Sequence, residues 1–242
     1  MSGHSKWHNI QRTKGAADAK RAQIFTKLAR ELTVAVKEGG GGDPAGNSRL
    51  SAVIAKAKAA NIPSDNIKRT IEKAVGGAGG NNYEEVTYEG YGPGGVAVIV
   101  EAMTDNRNRT AAEVRHHFDK YGGNMGAAGC VSWSFDRKGV VVVENEDGEL
   151  DEDELLEAAL ESGADDVVTR DGSFEVYTPV GAFVAVNDAL AKSGYSFLSA
   201  QIEMTPQSYI SLTDADDIKN MEKLLEALED SDDVQDVWHN YE

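Results

Sequence analysis

Hydrophobic side chains recur every three or four residues over positions 16–37, which is the spacing of one face of an α-helix. The positions that share this face are Ile24, Leu28, Leu32, Ala35 and Val36. A second face of the same helix is cationic and carries Lys20, Lys27, Arg30 and Lys37. The pattern predicts an amphipathic helix with a basic outer side, which is typical either of a solvated charged surface or of a surface that binds a polyanion.

Two shorter helices are predicted after the glycine-rich loop EGGGGDPAGN. The first begins near Ser48 and ends near Asn61, and the second begins at Ser64, which we expect to be its N-cap. Their apolar positions fall on one side, and the exposed positions include Lys56, Lys58, Lys68, Arg69 and Lys73. The three helices predict a small basic helical domain over 1–80 that ends at a glycine-rich linker over 76–82.

The remainder of the chain alternates between strand and helix patterns. Strands are predicted over 85–89, 96–101 and 131–135 with a helix over 104–121, and again over 209–212 and 234–238 with a helix over 214–228. Between these two sets lies a complete β-α-β-β-α-β series, with helices over 152–162 and 183–192 and strands over 140–143, 167–169, 174–177 and 197–204. The order predicts a multidomain α+β protein in which an N-terminal three-helix domain precedes two ferredoxin-like α+β domains, the second inserted in the first. The predicted domains are 1–80, then 81–136 with 206–242, and the acidic insert 137–205.

Charge is unevenly distributed along the 242 residues, whose net charge is −17. Residues 1–75 hold 14 Lys and Arg against six Asp and Glu, a net charge of +8, so the remainder carries −25. This segregation favours a basic end that binds a polyanion and an acidic remainder that limits indiscriminate binding. The single cysteine, Cys130, the absence of a recognisable leader, and the lack of an apolar run of about 20 residues predict a soluble cytoplasmic protein without a membrane partner.

Two groups of residues have the chemistry of a nucleic-acid interface, in which cations contact phosphates and an aromatic ring stacks on a base. The first is the N-terminal arm with the basic helix and comprises His4, Lys6, Trp7, Arg12, Lys14, Lys20, Arg21, Lys27 and Arg30. The second comprises Arg107, Arg109 and Arg115, at and after the start of the helix over 104–121. Cations at a helix N-terminus oppose the helix dipole, which favours a nearby anion. The alternative is that these arginines pair with Glu101, Glu113 or Asp119.

Catalytic and cofactor chemistry find little support in the sequence. The segment GYGPGG over 90–95 matches the dinucleotide pattern G-x-G-x-x-G, but a strand pattern follows it where a helix is required, so a turn is the better interpretation. His116 and His117 are adjacent on a predicted helix and point apart, so they do not form a metal site. We expect no catalytic residues, no metal, no cofactor and no small-molecule substrate.

Several long segments resemble the YebC/PmpR family. These are GHSKW, DAKRAQIFTKLARE, NIPSDNIKRTIEKAVG and YEGYGPGGVAVIVEAMTDNRNRTAAEVRHHFDKYGGNMG, and the similarity extends over essentially the whole chain. The resemblance implies three domains and no enzymatic activity. Its functional residues fall on Gly3, His4, Ser5, Lys6 and Trp7, on Lys20, Arg21, Lys27 and Arg30, and on Arg107, Arg109 and Arg115. The sequence departs from the pattern at Gln11 and Thr13, where basic residues are expected.

Three functions remain open at this point. Bacterial members of the family are described as probable DNA-binding transcriptional regulators, which makes a nucleic-acid-binding regulator the first hypothesis. The alternative is a ribosome-associated factor that contacts ribosomal or transfer RNA and relieves stalling at proline-rich stretches. An arm with an aromatic ring suits RNA, and no recognition helix with a base-reading residue at its N-terminus is evident. A third possibility is an adaptor whose acidic domains dock a basic partner.

Overall fold

The computed structural model describes residues 17–77, 82–145 and 148–242. It is an α+β protein in which a helical region precedes two four-stranded antiparallel sheets, as the sequence predicts. The described residues form two compact units, one of residues 17–131 with 212–239 and one of residues 132–211 with 240–242. The predicted domain boundary near residue 80 lies outside the described residues, and the other predicted boundaries stay predictions.

The helical region consists of α1 (Ala17–Glu38), α2 (Ser48–Ala59) and α3 (Ser64–Val75). The apolar stripe predicted for the first helix is buried at Leu28 and Leu32, which pack with Leu50 and Ile67. Their core also contains Ala35, Val36, Val53, Ala57, Ile62 and Ala74. Burying a full-sized aliphatic side chain stabilises a fold by roughly 1.5–3 kcal/mol, so this stripe fixes how the three helices pack.

The loop between α1 and α2 is closed by one buried side chain, Asn47. Its Oδ1 accepts a hydrogen bond from the Leu50 N–H at 2.9 Å, and its Nδ2 donates to the carbonyls of Ala35 at 2.7 Å and Gly41 at 2.8 Å. Asn47 is therefore both the N-cap of α2 and the tie between the two helices.

The predicted N-cap at Ser64 is wrong. Pro63 occupies the N-cap position without a side-chain hydrogen bond, and Ser64 is the first helical residue. The N–H groups of Asn66 and Ile67 both donate to the Pro63 carbonyl, so the helical hydrogen bonds begin one residue earlier than predicted.

The first sheet belongs to the same unit as the helical region. Its elements are β1 (Glu84–Tyr91), β2 (Ala97–Thr104), α4 (Arg107–Lys120) and the short β3 (Asn124–Met125). The sheet has the order β3-β1-β2-β8, where β8 is Val234–His239 and follows the unit's other helix, Ala215–Glu229. The last strand of the chain thus pairs with β2, more than 100 residues before it, which gives the nested order that the sequence predicts.

The second unit contains the complete series β4 (Phe135–Glu144), α5 (Glu152–Ser162), β5 (Asp166–Arg170), β6 (Ser173–Pro179), α6 (Phe183–Lys192) and β7 (Phe197–Pro206). Its sheet order is β5-β6-β4-β7, the ferredoxin-like arrangement. Helices α5 and α6 pack over one face of the sheet through Leu155, Ala159, Val186 and Leu190. The helix Ala215–Glu229 is α7 in chain order.

Two predicted strands are wrong. Residues 132–134 form a single 3₁₀ turn, and Phe135 begins β4 of the other sheet. The Val131 N–H donates to the Glu89 carboxylate at 2.9 Å, so it is not available to a strand partner. The predicted strand over 209–212 contributes one isolated bridge, between Ile210 and Tyr241. Burial does not alternate from one residue to the next in either segment, and neither the segment 131–134 nor the segment 209–212 has a neighbouring strand along its length in the described part of the chain.

Candidate nucleic-acid interface

The N-terminal part of the predicted interface lies outside the described residues. This applies to His4, Lys6, Trp7, Arg12 and Lys14. The backbone of Lys20 and Arg21 belongs to α1, whereas their side chains fall outside the described part. The nucleic-acid role of these seven residues stays a prediction.

Lys27 faces the C-terminal end of α7. Its Nζ donates a hydrogen bond to the carbonyl of Glu229 at 2.7 Å, and Gln23 Nε2 donates to the same carbonyl at 3.1 Å. Burial lowers the pKa of Lys27, and the nearby carboxylates of Glu229, Asp230 and Asp232 offset part of that effect. A cation at this position satisfies a carbonyl that the helix leaves unpaired and complements the negative end of its dipole. Lys27 therefore connects the helical region to the first sheet domain.

Arg30 lies one turn further along α1 and makes a denser set of contacts. Its Nη1 donates to the carbonyl oxygens of Met103 at 3.1 Å and Asp232 at 2.6 Å, and to Asp233 Oδ1 at 2.5 Å. The guanidinium carbon lies 5.2 Å from the ring centroid of Tyr83, within cation–π range. Only 14% of the side chain is exposed. Arg30 is thus held inside the unit by contacts on several sides.

Asp233 is the point on which these contacts converge. Its Oδ2 accepts hydrogen bonds from Arg109 Nη2 at 2.7 Å, Thr110 Oγ1 at 2.7 Å and Thr104 Oγ1 at 3.2 Å, while Oδ1 receives Arg30. Burial alone would raise the pKa of Asp233, but the hydrogen bonds from Arg109, Thr110 and Arg30 lower it to about 2. We call these five residues the Asp233 cluster. It joins α1, β2, α4 and the loop before β8.

The cavity beside the Asp233 cluster has the wrong charge for phosphate. It is open, has a volume of about 500 Å³, and is lined by Arg30, Asp105, Arg109, Glu113, Asp230, Ser231, Asp232 and Asp233. Five carboxylates thus face two arginines that already have carboxylate partners. A phosphate entering here would be repelled, so the geometry gives Lys27, Arg30 and Arg109 intramolecular roles. Their contact with nucleic acid stays an untested prediction.

The other two arginines of α4 point outward. Arg107 is 62% exposed, and its Nη1 lies 3.5 Å from a Glu84 carboxylate oxygen. Arg115 is exposed and makes no ion pair within the described part of the chain. The partners considered from the sequence for the three arginines were Glu101, Glu113 and Asp119, whereas the ion pairs formed are with Glu84, Asp105 and Asp233. Of the second predicted group, Arg107 and Arg115 are placed to contact a ligand from solution.

A further group of cations is exposed on the helical region. It comprises Lys58 of α2 and Lys68, Arg69 and Lys73 of α3, which we call the α2–α3 surface. Lys68 Nζ approaches Glu72 only to 4.0 Å, whereas the neighbouring Lys56 is bound to Glu31 at 2.8 Å. An open groove of about 470 Å³ runs between Lys58 and Lys68, with Pro44, Ile67 and Ile71 in its lining. The sequence predicts that these four cations are exposed but does not assign them to the interface.

The connection between α2 and α3 bears on what this surface could bind. It spans only residues 60–63, which is the length found in helix-turn-helix motifs. Asn66 and Arg69, both exposed, are the third and sixth residues of α3 and are base-reading residue types. The expectation that no recognition helix carries a base-reading residue at its N-terminus stays an untested prediction, and Asn66 in the first turn of α3 is the residue that bears on it.

The glycine-rich segment over 90–95 forms the end of β1 and then a turn, so the predicted turn is confirmed at residues 92–95. Residues 93–95 form a 3₁₀ turn between the antiparallel strands β1 and β2, and Gly94 adopts a φ of 65°. In the described part of the chain, no group of three or more His, Cys, Asp or Glu side chains is arranged to hold a metal ion. None of the helices between Ala17 and Glu229 that the structure describes combines the length and the apolar character needed to cross a bilayer.

Comparison with known proteins gives consistent matches over nearly the whole chain. A family model described as the TACO1/YebC protein N-terminal domain matches residues 5–77, and a model described as the TACO1/YebC second and third domain matches residues 83–241. A "probable transcriptional regulatory protein" of Geobacillus kaustophilus is 58% identical over 240 residues, covering 99% of this chain and 97% of the relative. One from Geobacter sulfurreducens is 56% identical over 242 residues, covering 100% of this chain and 96% of that protein.

A solved structure is also similar throughout. The crystal structure of a conserved hypothetical protein from Aquifex aeolicus superposes with a TM-score of 0.86 at 47% sequence identity. The match covers 98% of this chain and 97% of that one.

Proposed function

The chain belongs to the YebC/PmpR family, and from that premise we propose that it is a non-enzymatic, nucleic-acid-binding regulator of gene expression in the cytoplasm. The similar proteins of Geobacillus and Geobacter are named as probable transcriptional regulatory proteins, which supports a regulatory role. The turn over 93–95 is followed by strand β2, so no helix N-terminus follows it to hold a dinucleotide. This supports the absence of a nucleotide-dependent activity.

The observation that carries the proposal is the α2–α3 surface. Four exposed cations lie on one small helical region of a protein whose net charge is −17. Phosphate backbones are bound by such clusters, and the acidic remainder of the chain disfavours contact elsewhere. We propose that the α2–α3 surface binds the backbone together with the basic arm, including Lys6, Trp7, Lys20 and Arg21. Lys27, Arg30 and Arg109 act instead as structural residues, through their contacts with Glu229 and Asp233.

The geometry of α3 supports duplex DNA as the target. Its N-terminal half exposes Asn66 and Arg69, which are suited to base edges in the major groove, while Lys68 and Lys73 are suited to the flanking phosphates. The short connection to α2 is the one used by helix-turn-helix proteins, which place such a helix in the groove.

The proposal is tested with the double variant Lys68→Glu/Lys73→Glu, measured by fluorescence anisotropy on mixed-sequence duplex DNA and on single-stranded RNA. Removing phosphate contacts should weaken binding of the target at least tenfold and lower the salt dependence by about 0.9 per lost contact on DNA. Lys219→Glu is a matched control, because Lys219 is an exposed lysine of α7. Equal affinity of the double variant and the wild type would refute the α2–α3 surface as the interface.

The second candidate is the ribosome-associated translation factor, which the aromatic residue of the basic arm, Trp7, favours because single-stranded RNA bases stack on such rings. Sucrose-gradient sedimentation of a gentle lysate separates the two candidates. Co-migration with ribosomes that is lost on RNase treatment would support the translation factor. Co-fractionation with chromosomal DNA that is lost on DNase treatment, with no association with ribosomes, would support the transcriptional regulator.

A further inference from the structure

Three hydrophobic side chains of the second unit are exposed near a single helix contact. Leu160 of α5 is 48% exposed, Val180 is 41% exposed, and Val184 of α6 is 67% exposed. All three lie within three residues along the chain of the contact between the end of α5 at Gly163 and the start of α6 after Ala182, where a Cβ on Gly163 would lie 3.6 Å from the Ala182 Cβ. Leu160 is three residues before Gly163, and the two valines are each two residues from Ala182. We call Leu160, Val180 and Val184 the α5–α6 patch.

The exposure of the α5–α6 patch does not result from an incomplete hydrophobic core. The core of this unit is already filled beneath it by Leu155, Ala159, Val186 and Leu190, each fully buried. Leu160 and Val184 lie on the outer flanks of the same two helices, where solubility alone would favour polar residues. Clustered exposed apolar residues with a polar rim mark interaction sites more often than isolated ones do.

The rim of the patch is acidic. Glu157 lies one turn before Leu160 on α5, and Asp188 lies one turn after Val184 on α6, so each carboxylate shares a helix face with an apolar residue. Asp165 follows at the same end and pairs with Lys138 at 3.8 Å. Residues 132–211 as a whole carry 17 Asp and Glu against four Lys and Arg. An apolar centre within this field is complementary to a segment that is both hydrophobic and basic.

We propose that the α5–α6 patch docks a Lys- or Arg-rich amphipathic helix of a partner protein. Two hydrophobic side chains of that helix, one turn apart, would contact Leu160 and Val184, while its cations would face Glu157 and Asp188. The chain's own basic helix α1 is not available for this role, because its apolar stripe at Leu28 and Leu32 is already buried. The protein thus has a basic nucleic-acid surface on one unit and an acidic docking surface on the other.

The test uses the full-length protein and a fluorescent synthetic helix of Lys and Leu, with Leu at helical spacing. Two controls are a peptide of the same composition with scrambled order and a Glu/Leu peptide of the same pattern. Anisotropy at about 0.1 M salt, where the Debye length is about 10 Å, should show binding of the patterned basic peptide only. Equal binding of the scrambled peptide would overturn the proposal.

Variants on the protein side identify the surface. Leu160→Asn/Val184→Asn should weaken peptide binding at least tenfold, and Glu157→Lys/Asp188→Lys should weaken it and reduce its salt dependence. Val75→Asn is the matched apolar control, because Val75 is 60% exposed on α3. The uncharged variant Leu160→Asn/Val184→Asn should not change affinity for nucleic acid, so this result is separate from that of the proposed function. Unchanged peptide affinity in the Leu160/Val184 variant would overturn the assignment.

Two further measurements test for other occupants of the α5–α6 patch. If removal of residues 1–16 increased peptide affinity at least tenfold, the arm of the chain itself would be the occupant and the proposal of a partner would fail. If the wild type formed a concentration-dependent dimer in sedimentation velocity that Leu160→Asn/Val184→Asn abolished, the occupant would be a second copy, and the proposal would likewise fail.

Discussion

The substitution Asp233→Asn tests whether the Asp233 cluster holds the helical region to the first sheet domain. The side chain keeps its size but loses the charge that faces Arg30 and Arg109 at 2.5 and 2.7 Å. The pKa of Asp233 is lowered from 3.8 to about 2. Since one pKa unit corresponds to about 1.4 kcal/mol, its polar partners stabilise the charged form by about 2 kcal/mol.

The full effect should be larger than this electrostatic part. Asp233 and Arg30 have side chains that are only 6% and 14% exposed, and breaking a buried ion pair leaves a charge without its partner, at a cost of about 3–5 kcal/mol. We therefore expect Asp233→Asn to destabilise the unit by about 3–4 kcal/mol at neutral pH. In a chain of this size, each kcal/mol of lost stability lowers the Tm by roughly 2–4 °C.

The free energy of unfolding is measured by urea denaturation. In a separate experiment, hydrogen exchange reports the local stability of the segment 212–239, which contains α7 and β8. Because the folded pKa lies below the unfolded one, the stabilisation is present above about pH 4 and is lost as the pH falls towards about 2. The difference between wild type and variant should therefore shrink on acidification. Asp232→Asn is the control, because Asp232 is exposed and binds Arg30 through its backbone carbonyl. A loss below about 0.5 kcal/mol for Asp233→Asn, as expected of a surface substitution, would refute the reasoning.

Two further predictions concern loops of the first sheet domain. Glu89→Gln should destabilise by about 1–3 kcal/mol and accelerate amide exchange at Gly129 and Val131, because the buried carboxylate accepts both N–H groups, at 2.8 and 2.9 Å. Gly94→Ala should lower the Tm by an amount equivalent to about 1 kcal/mol or more, because Gly94 has a φ of 65° and a Cβ would overlap Leu212 Cδ2.

Each of these two predictions has a result that would contradict it. Gly95→Ala has a similar backbone strain, at a φ of 80°, but meets open space, so an equal loss at both glycines would show that the contact with Leu212 contributes nothing. For Glu89→Gln, unchanged exchange rates at Gly129 and Val131 would show that another group holds the loop.

The helices of the second unit could be predicted to the residue because their signals are local. α5 and α6 have the predicted bounds. For α5 the reason is visible in the chain itself, since Asp151 Oδ1 caps the N–H groups of Asp153 and Glu154, and Gly163 ends the helix at a φ of 106°. Periodicity and caps require no knowledge of the remainder of the fold.

The orientation of the cations could not be predicted in the same way. Lys27 and Arg30 lie on the cationic face of α1, where pattern alone suggests solvent, but their partners at Glu229 and Asp233 are more than 200 residues away in sequence. The alternation over 209–212 likewise predicts a strand without revealing that no strand lies beside it. Local pattern identifies an element, whereas its neighbours depend on tertiary contacts.

The most direct test of the central claim is the rate of lysine modification with and without nucleic acid. A small amine-reactive reagent, read out by mass spectrometry, reports each lysine separately. The account predicts that Lys58, Lys68 and Lys73 react readily in the free protein and are protected when nucleic acid is bound. Lys27, whose Nζ binds the Glu229 carbonyl, should react slowly in both states, and Lys219 should react readily in both. If bound nucleic acid protected other lysines while Lys58, Lys68 and Lys73 stayed reactive, the α2–α3 surface would not be the interface.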